Sequence, residues 1–464
     1  MPKNHFIRIL LAAGICISSL TVISPAIAKD EVGVTTSEIL LGATFPLTGS
    51  FSPHYQDFYK GAQAYFSYLN KNGGIYGRKI RLVLKDDGQV PTRAVSAGQG
   101  LILQDKVFAL FNSAPFTAGH AAMVQNLGIN RLQVPNLAVT SDFSGFSDSS
   151  KYPTTFQAAP NALQEFKVLT HFIEQSFNST PVIAQFPADD IGVDFQQATR
   201  NSVIKFGAGG ALATGCSGIP YQTDKSAILN LYRIHCGGEK SKLTAGDAQP
   251  LFIRGKSVSS SLSTYLVASS NSKNLYANFN MPLFTDEEDP FISFFTKVLK
   301  DEIPSLDFSK QYMDSTKSVF NHVSQQLYEG ANAAYVLSQA IASIGSQPTR
   351  AALIKFLRSS SNNLSSASFS PINYSTGSNI GDTVQYIAKY DGVRWVKVSD
   401  FYLVNPTGNS VRAVTPLRKP LLANGIPVTK VAEQVSRNIV CVKGKVTREV
   451  SGLNPKCPKG YKQK

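Results

Sequence analysis

The stretch Gly33 to Gly49, GVTTSEILLGATFPLTG, runs on through Lys60 to Asp87, KGAQAYFSYLNKNGGIYGRKIRLVLKDD, and decides the fold. A polar turn leads into an apolar run, Ile39 to Phe45, closed by Pro46 and Gly49. Such a run, bounded by turn residues, predicts a buried strand. Phe58, Ala62, Tyr65, Phe66 and Leu69 then recur at helical spacing, and Asn72-Gly73-Gly74 is a helix-ending signal. Ile80 to Leu84 alternates as a second strand and ends in Asp86-Asp87. Strand, helix and strand in this order make one β-α-β unit of a parallel sheet.

Five features in order carry a resemblance: the opening strand, the Pro46-Leu47-Thr48-Gly49 turn, the Gly61-Ala62 helix, the Asn72 to Gly77 turn and the Asp86-Asp87 strand end. Together they resemble the type I periplasmic binding proteins of the leucine/isoleucine/valine-binding family. The resemblance covers Val34 to about Asp400. It implies an α/β fold of two doubly wound, Rossmann-like lobes joined by a hinge, with a ligand held between them.

The order of elements downstream fits this reading. A helix is expected over 92–104, a strand over 107–111, a helix over 117–127 and a strand over 132–139. After a crossing near 157–160, helices at 162–177, 195–206 and 224–234 alternate with strands at 182–186, 211–215, 251–254 and 275–280. Helices at 291–301, 318–344 and 349–358 return to the first lobe. A hairpin turning at Asp391-Gly392 ends the second. The expected division is a leader over 1–28, lobe one over 34–158 and 284–372, lobe two over 159–283 and 373–404, and a basic tail over 405–464.

Lys3, His5 and Arg8 precede an apolar run from Ile9 to Ile23, and Ala26-Ile27-Ala28 has the pattern of a cleavage site. This reads as a secretory signal peptide cut after Ala28. A membrane anchor is the alternative, but the run is short and Ser-rich for a span. Cysteine usage agrees with export. Cys216, Cys236, Cys441 and Cys457 form an even set that allows three connectivities. Loop-closure entropy favours the local pairs, Cys216 with Cys236 and Cys441 with Cys457.

The formal charge of +14 is unevenly spread. From Asn405 onward there are twelve Lys and Arg against two Glu, and the leader holds two more basic residues, so the body carries only +2. A near-neutral body argues against nucleic acid as a partner. The basic tail is a candidate for contact with an anionic wall polymer or membrane surface, with a merely solvated tail as the plain alternative.

The resemblance places the ligand at the carboxyl ends of the strands, as open α/β sheets do. In lobe one the matching turn is Asn112 to Thr117. It puts Ala114 where the family has its main serine, with Ser113 beside it and Thr117 at the family's threonine. Ala138-Val139-Thr140 matches an Ala-x-Thr pattern. Phe51, Tyr55, Phe116 and Tyr328 are aromatics that fit either the cleft or the core. Departures from the family occur in lobe two. Ile191 precedes Gly192 where an aromatic is usual, and the acidic partner of a ligand ammonium falls near Gly255 or Lys256. Glu239 is a candidate substitute, while Lys256, with Arg254 two residues earlier, suggests an anion instead.

No Gly-x-Ser-x-Gly elbow, Walker loop or His-Glu-x-x-His motif is present, and the glycines of Phe206 to Gly215 stand in the wrong order for a dinucleotide. The expectation is a non-enzymatic binder without metal or cofactor, serving the membrane permease of an ATP-driven importer. A second reading is a surface sensor or structural protein that keeps the fold but not transport.

Overall fold

The computed structural model describes residues 31–49, 52–177, 182–185, 190–200, 205–206, 227–230, 251–254, 275–308, 323–360, 362–375, 377–391, 394–405, 410–427, 429, 437–444, 446–452 and 457–463. Two α/β lobes and a small separate sheet are built from them.

The first sheet holds five parallel strands in the order β2-β1-β3-β4-β5. They are β1 (Glu38–Phe45), β2 (Lys79–Asp86), β3 (Ala109–Phe111), β4 (Asn136–Val139) and β5 (Thr155–Gln157). β1 is buried along almost its whole length, which is why it reads as an unbroken apolar run rather than an alternating one. Helices α1 (Ser52–Lys71), α2 (Pro91–Gln99) and α3 (Thr117–Ala122) follow β1, β2 and β3.

The Asp86-Asp87 and Pro46 to Gly49 signals prove to be one structural device. The Asp86 carboxylate accepts the Leu47 and Thr48 backbone N–H groups, the Thr48 hydroxyl at 2.7 Å and the Gly88 N–H. Burial opposes its charge, but these hydrogen bonds hold its pKa at about 2. The end of β2 thereby fixes the turn that leaves β1.

Helices α6 (Pro290–Glu302), α7 (Gln325–Ser343) and α8 (Arg350–Arg358) return to this lobe. Their apolar faces share one core with β1 and α1, through Phe291, Phe295, Leu327, Tyr335 and Leu353. α1 and α7 cross at two glycines. A Cβ on Gly61 would lie 1.9 Å from the Leu327 carbonyl oxygen, and one on Gly330 would lie 1.8 Å from that of Phe58. Only hydrogen at both positions permits so close a backbone approach.

The second sheet has eight strands in the order β13-β12-β11-β10-β9-β8-β6-β7. β6 (Val182–Gln185), β7 (Lys205–Phe206), β8 (Ala227–Asn230), β9 (Leu251–Ile253) and β10 (Leu275–Phe279) are parallel. β11 (Val384–Tyr390), β12 (Trp395–Val404) and β13 (Val411–Val414) extend the sheet antiparallel. α4 (Ala162–Ser176) and α5 (Asp190–Thr199) belong to this lobe, and α4 opens on a capping box between Asn161 and Gln164.

Four sequence expectations change. Ala227–Asn230, inside an expected helix, is strand β8 paired to β6 and β9. α5 begins at Asp190 rather than Phe195, and Lys205–Phe206 pairs with β6 as β7. The three-residue β5 carries no sequence signal of its own.

The fourth change concerns the segment after Asn405, expected to be tail. Val411–Val414 instead closes the edge of the second sheet. Residues 415–427 then lie on lobe one. Leu417 N–H reaches the Phe369 carbonyl, Arg418 pairs with Asp289 at 2.6 Å, and the Tyr65 hydroxyl donates to the Gly425 carbonyl. Beyond 427, the described residues form a third, antiparallel sheet in the order β15-β14-β16, of β14 (Arg437–Lys443), β15 (Val446–Gly452) and β16 (Lys462–Gln463). Cys441 and Cys457 form its disulfide, with Cα atoms 5.5 Å apart. Cys216 and Cys236 lie outside the described residues.

Candidate functional site

The carboxyl ends of β3 and β4 form a buried polar cluster. Asn112, Ala114 and Ala138 there have φ of +47°, +49° and +57°. Left-handed backbone is costly for residues with a Cβ and persists only where its surroundings over-determine it. Those surroundings are a network of neutral groups.

Asn136, on β4, clamps Ser113 at both ends of its peptide. Its Oδ1 accepts the Ser113 N–H at 3.0 Å and its Nδ2 donates to the Ser113 carbonyl at 2.9 Å. The Ser113 hydroxyl accepts the Thr44 N–H, and the Ala114 N–H donates to the Thr44 carbonyl, tying the turn to β1. Asn112 links this turn to the next. Its N–H donates to Leu137, its carbonyl accepts the Tyr59 hydroxyl, and its Oδ1 accepts both the N–H and the hydroxyl of Thr140 at 3.0 and 3.1 Å.

His120 completes the cluster. Asn136 Nδ2 has only hydrogens to give, so His120 Nδ1 accepts at 3.2 Å, and Nε2 carries the proton toward Thr155 Oγ1 at 3.0 Å. Burial lowers the His120 pKa to about 4, so the ring is neutral at physiological pH.

These contacts sort the sequence candidates. Ser113 and Ala114 are fully buried and are consumed in holding the turn; Ser113 is a positioning residue rather than a contact. Ala138 supplies a backbone bend. Thr117, which opens α3, and Thr140 stay half-buried at neighbouring strand ends. Among the described residues, no hydrogen-bond partner engages the Thr117 hydroxyl. Tyr55 is half-buried against the lobe-one core. Tyr328 is a core residue, stacked 6.0 Å from Phe284 with its hydroxyl 2.8 Å from Thr296 Oγ1. Phe51, Glu239 and Lys256 lie outside the described residues. Asn112 and Asn136 were not singled out in the sequence, although the Asn112-Ser113 turn signal lay beside the residues that were.

A second cluster joins the lobes. Asp142 lies on the loop between β4 and β5, hence on lobe one, whereas Arg254 ends β9 and Glu165 lies on α4. The Arg254 guanidinium donates twice to Asp142, at 2.6 and 3.2 Å, and once to Glu165 at 2.7 Å. Its burial opposes the charge, but Asp142 and Glu165 hold it firmly ionised. Ser144, on the same loop, bonds Asp194 of α5 through both its N–H and its hydroxyl. Burial pushes Asp194 up to about 6. Arg254 is therefore not the anion receptor that the sequence suggested: two carboxylates already face it.

A mostly apolar cavity lies behind β4, lined by Leu137, Phe156, Val336, Leu357 and Tyr374. All of its walls pack in the lobe-one core, Tyr374 included although it falls in the segment expected to belong to lobe two, so the cavity is distinct from any site between lobes. Among the described residues, no cluster of three or more His, Cys, Asp or Glu side chains could hold a metal ion. None of their helices is long and apolar enough to cross a membrane.

Comparison with known proteins bears on this geometry. Residues 38–225 match the family described as periplasmic binding protein. An amino acid binding protein of Pseudomonas aeruginosa is 34% identical over 89 residues, 18% of this chain. The match spans about a quarter, 24%, of that relative's length. The branched-chain amino acid transporter substrate binding protein LivJ of Streptococcus pneumoniae, solved with isoleucine, superposes with a TM-score of 0.59 at 15% identity. That alignment covers 78% of this chain and 100% of LivJ. A solute binding protein of R. palustris in complex with benzoate gives 0.56 at 13% identity, covering 78% and 96%. This chain has the type I periplasmic-binding-protein fold and resembles the leucine/isoleucine/valine-binding family that shares it.

Proposed function

We infer that this is an exported solute-binding protein which holds a small carboxylate-bearing or amide-bearing ligand between its lobes and delivers it to an ATP-driven importer. One observation carries the reading. Three strained, non-glycine residues sit at the carboxyl ends of β3 and β4, locked by Asn112, Asn136 and Ser113. Strand ends of open α/β sheets are where ligands bind, and strain held at such a place belongs to a preorganised site. The Thr117 hydroxyl flanks it as a donor for a carboxylate or amide oxygen, while Thr140, whose hydroxyl donates to Asn112 Oδ1, fixes the neighbouring strand end. Closure of the lobes on the ligand supplies the signal to a permease. The reaction is binding alone; no covalent step is required.

The leader over 1–28 and the resemblance support export. The two solved neighbours were determined with isoleucine and benzoate, both carboxylates, and this shared group is the one assigned to lobe one. A thermal-shift screen of amino acids, aromatic and aliphatic carboxylates and amides tests the reading. A ligand at a hundredfold excess over its dissociation constant adds about 2.7 kcal/mol of stability. Thr117→Val is expected to weaken the ligand so found by about 1–3 kcal/mol in calorimetric titration, because a buried acceptor loses its donor. Unchanged affinity in both Thr117→Val and Thr140→Val would move the site elsewhere.

A further inference from the structure

The separate sheet at the carboxyl end has a chemistry of its own. Residues 437–464 hold eight Lys and Arg against a single Glu. The register pairs Cys441 with both Arg448 and Gln463, and Lys443 with Val446. Directly paired residues of antiparallel strands share a face, and so do residues two apart. Cys441, Lys443 and Arg448 therefore lie on one face.

Tyr461 gathers the two cations. Lys443 Nζ is 6.0 Å and the Arg448 guanidinium carbon 5.7 Å from the centre of its ring. The ring is half-buried, both cations are exposed, and Cys441 beneath them is fully buried in the disulfide. Among the described residues, neither Lys443 nor Arg448 is paired with a carboxylate. Like charges so placed repel one another, and an anion between them relieves that repulsion. The disulfide ties Cys457, four residues before Tyr461, to the centre of the face, so the arrangement is fixed before any partner arrives.

We propose that this cationic face docks an anionic carbohydrate polymer, with repeated carboxylate or phosphate groups on sugar or polyol units. Charge complementarity selects a polyanion, and an aromatic ring flanked by cations suits a sugar that carries a charge. A lipid surface is the poorer fit. Membrane-surface elements present exposed apolar side chains for insertion beside their cations, and among the residues of this sheet whose exposure is described the one exposed large hydrophobic residue is Val446 at the hairpin end. The docking face is independent of the solute site, so the protein is held at a polymer while its lobes remain free to open and close.

The test uses the full-length protein and immobilised polygalacturonate. Lys443→Glu with Arg448→Glu is expected to lower affinity about tenfold or more at low salt. Lys297→Glu with Lys355→Glu makes the same change of net charge on exposed positions of α6 and α8. It should stay within about twofold of the unaltered protein. Lys443→Gln with Arg448→Gln, with the Cys441–Cys457 disulfide verified by peptide mapping, repeats the test without added repulsion. An equal loss in the body variant would reduce the effect to net charge and overturn the proposal. So would stronger binding to phosphatidylglycerol vesicles or to double-stranded DNA than to the polymer, or no binding to the polymer at all. Ligand affinity in the thermal-shift screen should be the same for all three variants, which separates failure here from failure of the solute-binding reading.

Discussion

The lobe-one turn and the joint between the lobes lie next to each other but are built on opposite principles. Around Asn112 and Ser113 the bonded side chains are neutral: two asparagines, the hydroxyls of Ser113, Tyr59, Thr140 and Thr155, and a histidine held uncharged by burial. Around Arg254 almost every group is charged, with Asp142, Glu165 and Asp194 converging on one guanidinium. Neutral networks fix geometry at low electrostatic cost, since each satisfied bond contributes about 0.5–1.5 kcal/mol. Buried ion pairs contribute little net stability while intact, but removing one partner leaves the other uncompensated. The turn is thus suited to precise placement, and the joint to a contact that either holds or fails.

The largest effect should come from the charged side. Arg254→Met keeps most of the side-chain volume but strands Glu165 and Asp142 in a buried setting. A loss of about 3–5 kcal/mol in unfolding free energy is expected, read by urea denaturation at neutral pH. Adding Glu165→Gln and Asp142→Asn should restore part of it. A single variant within about 1 kcal/mol of wild type would mean that water already screens this joint.

On the neutral side, Asn136→Ala removes the clamp on Ser113 and leaves His120 Nδ1 without its donor. The cost should be smaller, about 2–3 kcal/mol, since each buried polar group left unsatisfied costs about 1–3. The comparison sharpens if ligand is measured too. Asn136→Ala should weaken binding beyond what its stability loss alone produces, because the left-handed turn loses its restraint. If affinity survives, the turn does not position the ligand.

The contrast also explains what was legible in the sequence. The opening β-α-β unit was readable because its signals are local: an apolar run, helical spacing and turn residues within a few positions of one another. The link between Asp86 and the Thr48 turn needed the fold, because 38 residues separate the partners. Asn112 and Asn136 left no mark of their own, since an asparagine reads as a turn former until its partners are known. Ala227–Asn230 reads as part of a helix because a short apolar run fits helix or strand equally, and only its parallel neighbours decide. From sequence Arg254 reads as a cation free for an anion, because its carboxylate partners lie 89 and 112 residues away. Residues 415–427 looked like tail for the same reason: their anchors, Asp289 and Tyr65, are remote in the sequence.

The smallest effect concerns Asp87, which sits beside the neutral turn yet keeps a carboxyl group. It is fully buried, and its Oδ1 accepts the Gln89 N–H at 2.9 Å, while among the described residues no hydrogen bond of good geometry reaches its Oδ2. Burial is the main cause that pushes its pKa up to about 6 from 3.8; hydrogen bonding from the Gln89 N–H and the Thr44 side chain opposes it, Asp86 adds to the rise and Arg93 opposes it. Between those values the folded state binds the proton more tightly than the unfolded chain does. Stability contributed by the protonated form is therefore present at low pH and lost as pH rises toward 6, after which the full cost of a buried carboxylate remains. Asn at this position keeps the acceptor for Gln89 and never ionises. Asp87→Asn should thus be more stable than wild type at pH 7.5 by about 1–3 kcal/mol, the upper end being two pKa units at 1.36 kcal/mol each. The gap should close by about pH 4, where wild type is itself largely protonated. Asp194 and Asp382, whose pKa values are raised to about 6 as well, act alike in both proteins and cancel from the difference. A gap that is constant with pH would mean that the substitution acts through packing, and a gap that widens on acidification would mean that Asp87 is ionised and satisfied in the folded state.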